Sequence, residues 1–135
     1  MIQQRGNFDW MLKQLADGVP GIEMIVVLSA DGLRIARYGG EPDAADRVAA
    51  ACAGMQSLAS SICQELTVGD GEMQLVMIEI DRGYFYLMNA GANAFLAVLS
   101  DVRCEPGRMS AMMRDLVVRI GGHLTSPPRR NGQIV

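Results

Sequence analysis

Few residues in this chain could carry out chemistry, and their spacing argues against it. The single histidine, His123, stands beside Gly121-Gly122 near the C-terminal end. Any Ser-His-Asp or Cys-His device would have to be built around it. No GxSxG elbow occurs, and a histidine just past the last predicted helix is a poor general base, so it reads as an exposed, solvent-facing side chain. Cys52, Cys63 and Cys104 are odd in number and lack CxxC spacing, which suits buried free thiols better than a metal site. Cys52 and Cys63, eleven residues apart on one predicted helix, are separated by roughly 16 Å, too far for a disulfide. There is no GxxxxGK[ST] loop and no GxGxxG between strand and helix, and Gly69-Asp70-Gly71 precedes a strand, so it places no helix N-terminus on a phosphate. Asp31, Asp70 and Asp81 fall in predicted turns, where Asp is common for backbone reasons. Glu79 reads as a solvent-facing strand residue. Arg34, Arg37, Arg82 and Arg103 lie in or near turns. One of them could serve as an arginine finger in a partner's site, but solvated surface charge is the simpler reading. No catalytic residue, metal ligand or cofactor is expected.

The 135 residues suggest one domain, large enough for a proper core. Half the residues are apolar and a fifth charged, a globular profile. A net charge of −3 and a pI near 5.0 argue against nucleic acid, which wants a concentrated positive surface. The paired Arg129 and Arg130, in a Pro-containing tail, read as a solubilising end. Met1–Trp10 is polar, so no signal peptide is expected. The longest apolar runs, Ile22–Leu28 and Tyr84–Met88, are strand-sized, so direct membrane insertion is not expected either. Reduced thiols point to the cytoplasm. Eleven Arg against one Lys (Lys13), with abundant Ala and Gly, suggest a GC-rich bacterial source.

The elements follow from the pattern. Asn7 can cap a helix to Asp17 with Phe8, Met11, Leu12 and Leu15 as its stripe, ended by Gly18, Pro20 and Gly21. Ile22–Ser29 is a buried strand, Ala30-Asp31-Gly32 a hairpin turn, and Leu33–Tyr38 the returning strand. Gly39-Gly40 breaks the chain. Pro42, Asp43 and Asp46 favour the start of a long helix reaching Leu66. Its predicted apolar seam is Val48, Cys52, Met55, Ala59, Ile62 and Leu66, with small residues Ala45, Ala49, Ala53, Ser57 and Ser60 along another face. Three strands follow, Glu72–Ile80, Tyr84–Ala90 and Ala94–Leu99, joined by turns at Asp81-Arg82-Gly83 and Gly91-Ala92-Asn93. Pro106 opens a last helix to Ile120 whose apolar face is Met109, Met112, Met113, Leu116, Val117 and Ile120, with Gly121-Gly122 as C-cap. Of the ten methionines, Met73, Met77 and Met88 on strands and Met109, Met112 and Met113 on this helix read mainly as core, although Met also suits adaptable binding surfaces. The order α-β-β-α-β-β-β-α predicts an α/β (α+β) domain, a five-stranded antiparallel sheet covered by helices on both faces.

Two stretches carry a resemblance: Gly21-Ile22-Glu23-Met24-Ile25-Val26-Val27-Leu28 with Ser29-Ala30-Asp31-Gly32-Leu33, and the later strands Tyr84–Met88 and Ala94–Leu99. Together with the element order they resemble the roadblock / dynein light-chain family, also called roadblock/longin-like. The chain is most similar to the bacterial roadblock proteins of actinobacterial operons, which lie beside a small Ras-like GTPase and a sensor-kinase-like protein. The resemblance covers residues 6–122 as the domain, leaving 1–5 as an N-terminal extension and 123–135 as a flexible tail.

The resemblance implies a non-catalytic homodimer that pairs its third strands edge to edge and packs its long helices together, and that scaffolds or regulates a Ras-like GTPase. The implied dimer interface lies on Asp43–Leu66 and Glu72–Ile80: Ala49, Ala53, Met55, Ser57, Ile62, Met73, Leu75, Val76 and Met77. The family has no invariant contact motif to carry over; the exposed side of the long helix, with Arg47, Gln56 and Gln64, is the suggested GTPase-contacting surface. A sensor-kinase-like partner could bring the protein to a membrane. Two other readings stand beside this one. A profilin-like small-molecule sensor would need a pocket with convergent polar groups, whereas Ala, Met and aliphatic residues predominate there. The third reading is a structural subunit of a larger roadblock assembly.

Overall fold

The computed structural model describes residues 2–66 and 68–125, with side chains described for 8–66 and 68–124. The elements are α1 (Ile2–Gly18), β1 (Ile22–Ser29), β2 (Arg34–Tyr38), α2 (Pro42–Gln64), β3 (Leu75–Ile80), β4 (Gly83–Gly91), β5 (Ala94–Asp101) and α3 (Pro106–Thr125). The expected order holds. All five strands join one antiparallel sheet in the order β2-β1-β5-β4-β3. β2 and β3 are its edges.

Strand alternation sorts the core into two layers. Ile25, Val27, Tyr86, Met88, Leu96 and Val98 point to one face, against Phe8, Met11, Leu12 and Leu15 of α1 and Met109, Met113, Leu116 and Ile120 of α3. Val26, Leu28, Leu87, Phe95 and Ala97 point to the other, against Ala45, Ala49 and Cys52 of α2. Each fully buried Leu, Ile or Phe contributes about 1.5–3 kcal/mol of transfer free energy, so the two layers supply the main driving force.

Local chemistry explains the joints. The β1–β2 turn closes through Ser29 N–H to the Leu33 carbonyl (2.9 Å), with the Ser29 hydroxyl donating to Asp31. Leu33 therefore belongs to the turn, and β2 starts one residue later than expected. Ala92 and Asn93 both adopt positive φ (52° and 60°), the two-residue pattern that matches hairpin twist. The Asn93 carbonyl accepts from Ala30 N–H at 2.9 Å, tying two turns together.

Several element boundaries differ from expectation. α1 begins at Ile2, ahead of Asn7, so Asn7 lies within the helix and residues 2–5 are helical. α2 ends at Gln64, with Glu65 as its C-cap. Residues 72–74 precede β3 instead of starting it. Asn89 holds them, through its side-chain amide to the Met73 carbonyl and its N–H to the Gln74 carbonyl, both at 3.0 Å. α3 continues through Gly121-Gly122 to Thr125, so these glycines are no C-cap. A Cβ on Gly121 would come within 3.3 Å of the Ala90 carbonyl, so the glycine lets α3 lie close on β4. The Pro- and Arg-containing tail, with Arg129 and Arg130, lies outside the described residues. No helix among the described residues is long and apolar enough to cross a membrane.

Gly21 is a joint that a side chain would strain. Its φ is +91°, and an added Cβ would collide with the Asp101 carboxylate, which is held by Arg103 at 2.9 Å. Gly21→Ala is expected to lower unfolding free energy by about 2 kcal/mol, the order of a left-handed non-glycine residue. Chemical denaturation of the two proteins measures this.

Candidate interaction surface on the long helix and the third strand

α2 lies over β1 and β2; farther along that face Leu87 of β4 stays fully buried, while Ile78 and Ile80 of β3 are exposed and Phe85 of β4 is half-buried. Its alanines set this position. Ala45 and Ala49 are fully buried and Cys52 nearly so, which lets the helix backbone come close to the sheet. Ala53 tucks under the β1–β2 turn, where a Cβ on Gly32 would stand 3.1 Å from its own. Part of the small-residue face thus serves packing inside the chain, and the expected seam is correspondingly rotated. Ile62 and Leu66 are 65% and 54% exposed instead of facing the sheet.

The larger apolar residues of α2 turn toward the bare strands. Val48, Ala51, Cys52 and Met55 form one wall of an open groove of about 300 Å³. Met24, Val26, Ala97 and Leu99 floor it, and Phe85, Ile78 and Ile80 close the other side. Every lining residue is apolar. The surrounding surface is apolar as well: Leu58 is 70% exposed, Ile78 41% and Ile80 44%. β3 is paired only with β4, leaving its other edge open among the described residues. A contiguous apolar patch beside an open strand edge is the physical signature of an association surface.

The residues expected at this surface divide into three groups. Met55 lines the groove, Ile62 is exposed on α2, and Met77 is half-exposed on the opposite face of β3 from the groove-lining Ile78 and Ile80. Leu75 and Val76 are half-buried, packed against opposite core layers, and Ser57 is exposed. Ala49 and Met73 are core residues at 0% and 4% exposure and have no outer surface to offer, while Ala53 is half-buried beneath the turn. Residues missed in the sequence are Leu58, Ile78, Ile80, Phe85 and Met24. The available signal was the alternation Val76, Ile78, Ile80 interleaved with apolar Leu75 and Met77, a strand apolar on both faces. The suggested GTPase contacts are not brought together. Arg47 and Gln64 are exposed and Gln56 is half-buried, and nine helical residues place Arg47 about 180° around α2 from Gln56.

The chemically capable residues remain dispersed. His123 is exposed but lies within α3, its Nδ1 3.0 Å from the Arg119 carbonyl and its ring 6.0 Å from Phe8. Arg34 pairs with Asp46 at 2.6 Å, and Arg37 donates to the Gly39 and Gly40 carbonyls. Arg103 pairs with Asp101. Its hydrogen bonds hold that carboxyl below the usual range, and the carboxylate in turn raises the guanidinium. Among the described residues no group of three or more His, Cys, Asp or Glu stands together as a metal site. Burial pushes the Cys52 thiol up to about 11.

A five-stranded antiparallel sheet with one long helix on one face, two helices on the other, and an apolar strip along the long helix and an edge strand defines a roadblock-type α/β module. The chain belongs to the Roadblock/LC7 domain family, which matches residues 8–100. The crystal structure of a Roadblock/LC7 domain from Streptomyces avermitilis is 32% identical, with 87% of this chain and 98% of that chain covered and a TM-score of 0.81. The gliding protein MglB of Thermus thermophilus shares the fold at 14% identity, with 90% of each chain covered and a TM-score of 0.79. MglC from Myxococcus xanthus shares it at 13% identity, covering 87% of this chain and 98% of that one, with a TM-score of 0.61. No curated protein matches the chain.

Two outcomes follow for the thiols. At pH 8 a thiol reagent is expected to modify half-buried Cys63 in the native protein and to reach Cys52 and Cys104 only on unfolding, as followed by mass spectrometry. The native Cys52 keeps its proton up to about pH 11, whereas its ordinary value is 9.0. The Cys52 contribution to stability is therefore complete below pH 9 and lost as pH rises toward 11. Cys52→Ala flattens that part of the stability–pH curve.

Proposed function

We propose that this chain is a homodimeric, non-catalytic regulator or scaffold that binds a Ras-like small GTPase in a bacterial signalling system. The observation that carries the reading is the bare half of the sheet: an apolar groove and an open β3 edge on one continuous surface. A second copy related by a two-fold axis would use this patch twice, pairing β3 with β3 and setting the Leu58–Ile62 side of one α2 against the other. The small GTPase enters from the roadblock family resemblance, as does a sensor-kinase-like second partner that would recruit the cytoplasmic protein to a membrane. Arg47 and Gln64, exposed on different sides of α2, are separate candidate contacts under this reading.

A small-molecule sensor is the competing reading, favoured by the groove's volume. The groove offers no polar side chain to orient a ligand, which supports a protein occupant over a small molecule.

Met77→Lys and Val76→Asp place a charge at the paired edge and are expected to reduce the dimer to monomer in light scattering, because an unpaired buried charge costs several kcal/mol. Met77 is 49% exposed in the single chain, so its substitution leaves the monomer folded. The decisive test is binding to the Ras-like GTPase encoded nearest to this chain, loaded with GDP or with a non-hydrolysable GTP analogue. Preference for one nucleotide state supports a regulator, and raised turnover identifies an activator. An intact dimer that binds neither form moves the reading to a structural subunit or a sensor.

A further inference from the structure

The sheet has a second open edge, at the end opposite β3. β2 is hydrogen-bonded to β1 on one side and, among the described residues, has no strand on the other. Exposed edges are commonly blunted by charged side chains that project from them. The two arginines of β2 do not serve that purpose. Arg34 is drawn over one face to Asp46 on α2, and Arg37 folds back onto the carbonyls of Gly39 and Gly40. A depression of about 450 Å³ instead runs along the whole strand, bordered on the α1 side by Asp9 and Lys13.

The two α1 residues are arranged in order along that edge. α1 ends at Gly18, shortly before β1 starts at Ile22, and the first β1 residue to pair with β2, Ile25, stands opposite Tyr38 at the end of that strand. α1 therefore runs alongside β2 in the same direction, with Lys13 toward Tyr38 and Asp9 toward Arg34. Four helical residues advance about 6 Å, close to the roughly 6.6 Å of two strand residues, and Asp9 and Lys13 both border the depression that Ala36 also lines. A two-fold axis near Ala36 exchanges the two ends and thereby sets each Asp9 opposite a Lys13. Lys13 meets Asp17 at 2.9 Å within its own helix, but both side chains are more than 60% exposed and that pair is readily exchanged.

We propose that the β2 edge is a second contact between copies of this chain, in which two β2 strands pair antiparallel about a two-fold axis near Ala36 and Asp9 of each copy faces Lys13 of the other. The occupant is a second copy because the pattern is self-complementary: an acid at one end, a base at the other, and free main-chain groups between them. This contact lies at the other end of the sheet from β3, so the two edges do not compete. Used together, they join dimers into longer sheets.

Sedimentation equilibrium on the full chain across a wide concentration range tests it, using surface substitutions that leave the core untouched. The weight-average mass of the unsubstituted protein is expected to rise past the dimer. Lys13→Glu or Asp9→Lys alone sets like charges opposite each other and caps the mass at the dimer, and the double exchange Asp9→Lys with Lys13→Glu restores the rise. A mass that stops at a dimer which Lys13→Glu leaves intact, or a rise that the single exchanges leave unchanged, overturns the proposal. The α2–β3 reading fails separately. If the only dimer observed is dissolved by Lys13→Glu and indifferent to Met77→Lys, that reading falls and the β2 contact stands.

Discussion

The structure depends on a shortage of cover. An antiparallel sheet of five largely apolar strands exposes two apolar faces, and burying both requires helices on each side. α1 and α3 together cover one face well, because two helices side by side span most of its width. On the other face there is only α2, and a single helix about 10 Å across covers two or three strands at 4.8 Å spacing. α2 sits over β1 and β2, and at the far end of that face Ile78 and Ile80 of β3 stay exposed. The exposed apolar side chains of β3 and the groove beside it follow from that count of helices and strands.

Where α2 lies is decided by side-chain size. Alanines at 45 and 49 allow close approach at the β1–β2 side, where Gly32 also yields space to Ala53. The bulkier Val48 and Met55 then line the groove facing Ile78 and Ile80, and Leu58 and Ile62 are left exposed. The small residues and the apolar residues of the long helix thus have opposite roles from those their pattern first suggests. The small ones dock the helix within its own chain, and much of the larger apolar set is left exposed. Every residue that lines the groove is apolar, which suits contact with another apolar surface.

The two edges of the sheet differ in character. β3 is apolar on both faces, so an addition there buries side chains as well as satisfying main-chain groups. β2 is short, half-buried and flanked by charged residues of α1, so what it offers is hydrogen bonding and charge register with little apolar burial. The first kind of contact suits permanent association and the second suits weak, concentration-dependent association.

By itself the sequence determined the order of elements, the antiparallel meander and most of the two core layers, since periods of 2 and 3.6 and the turn residues Asp31-Gly32, Asp81-Arg82 and Ala92-Asn93 are local signals. It also carried the family, through the run Gly21–Leu33 and the later strands. The ends of the helices were not legible, because Asn7 and Gly121-Gly122 are terminators by propensity but are overridden by packing: α1 is helical on both sides of Asn7, and α3 uses Gly121 to approach β4. Tertiary structure alone decided which side of α2 faces the sheet. A long helix rich in both small and apolar residues has two plausible buried faces, and the sequence pattern ranks them by hydrophobicity, which favours Ile62 and Leu66. The sheet ranks them by how closely the backbone can approach, which favours Ala45 and Ala49. Burial of Ala49 and Met73 and exposure of Leu58, Ile78 and Ile80 all follow from that choice, which depends on contacts between residues far apart in the chain.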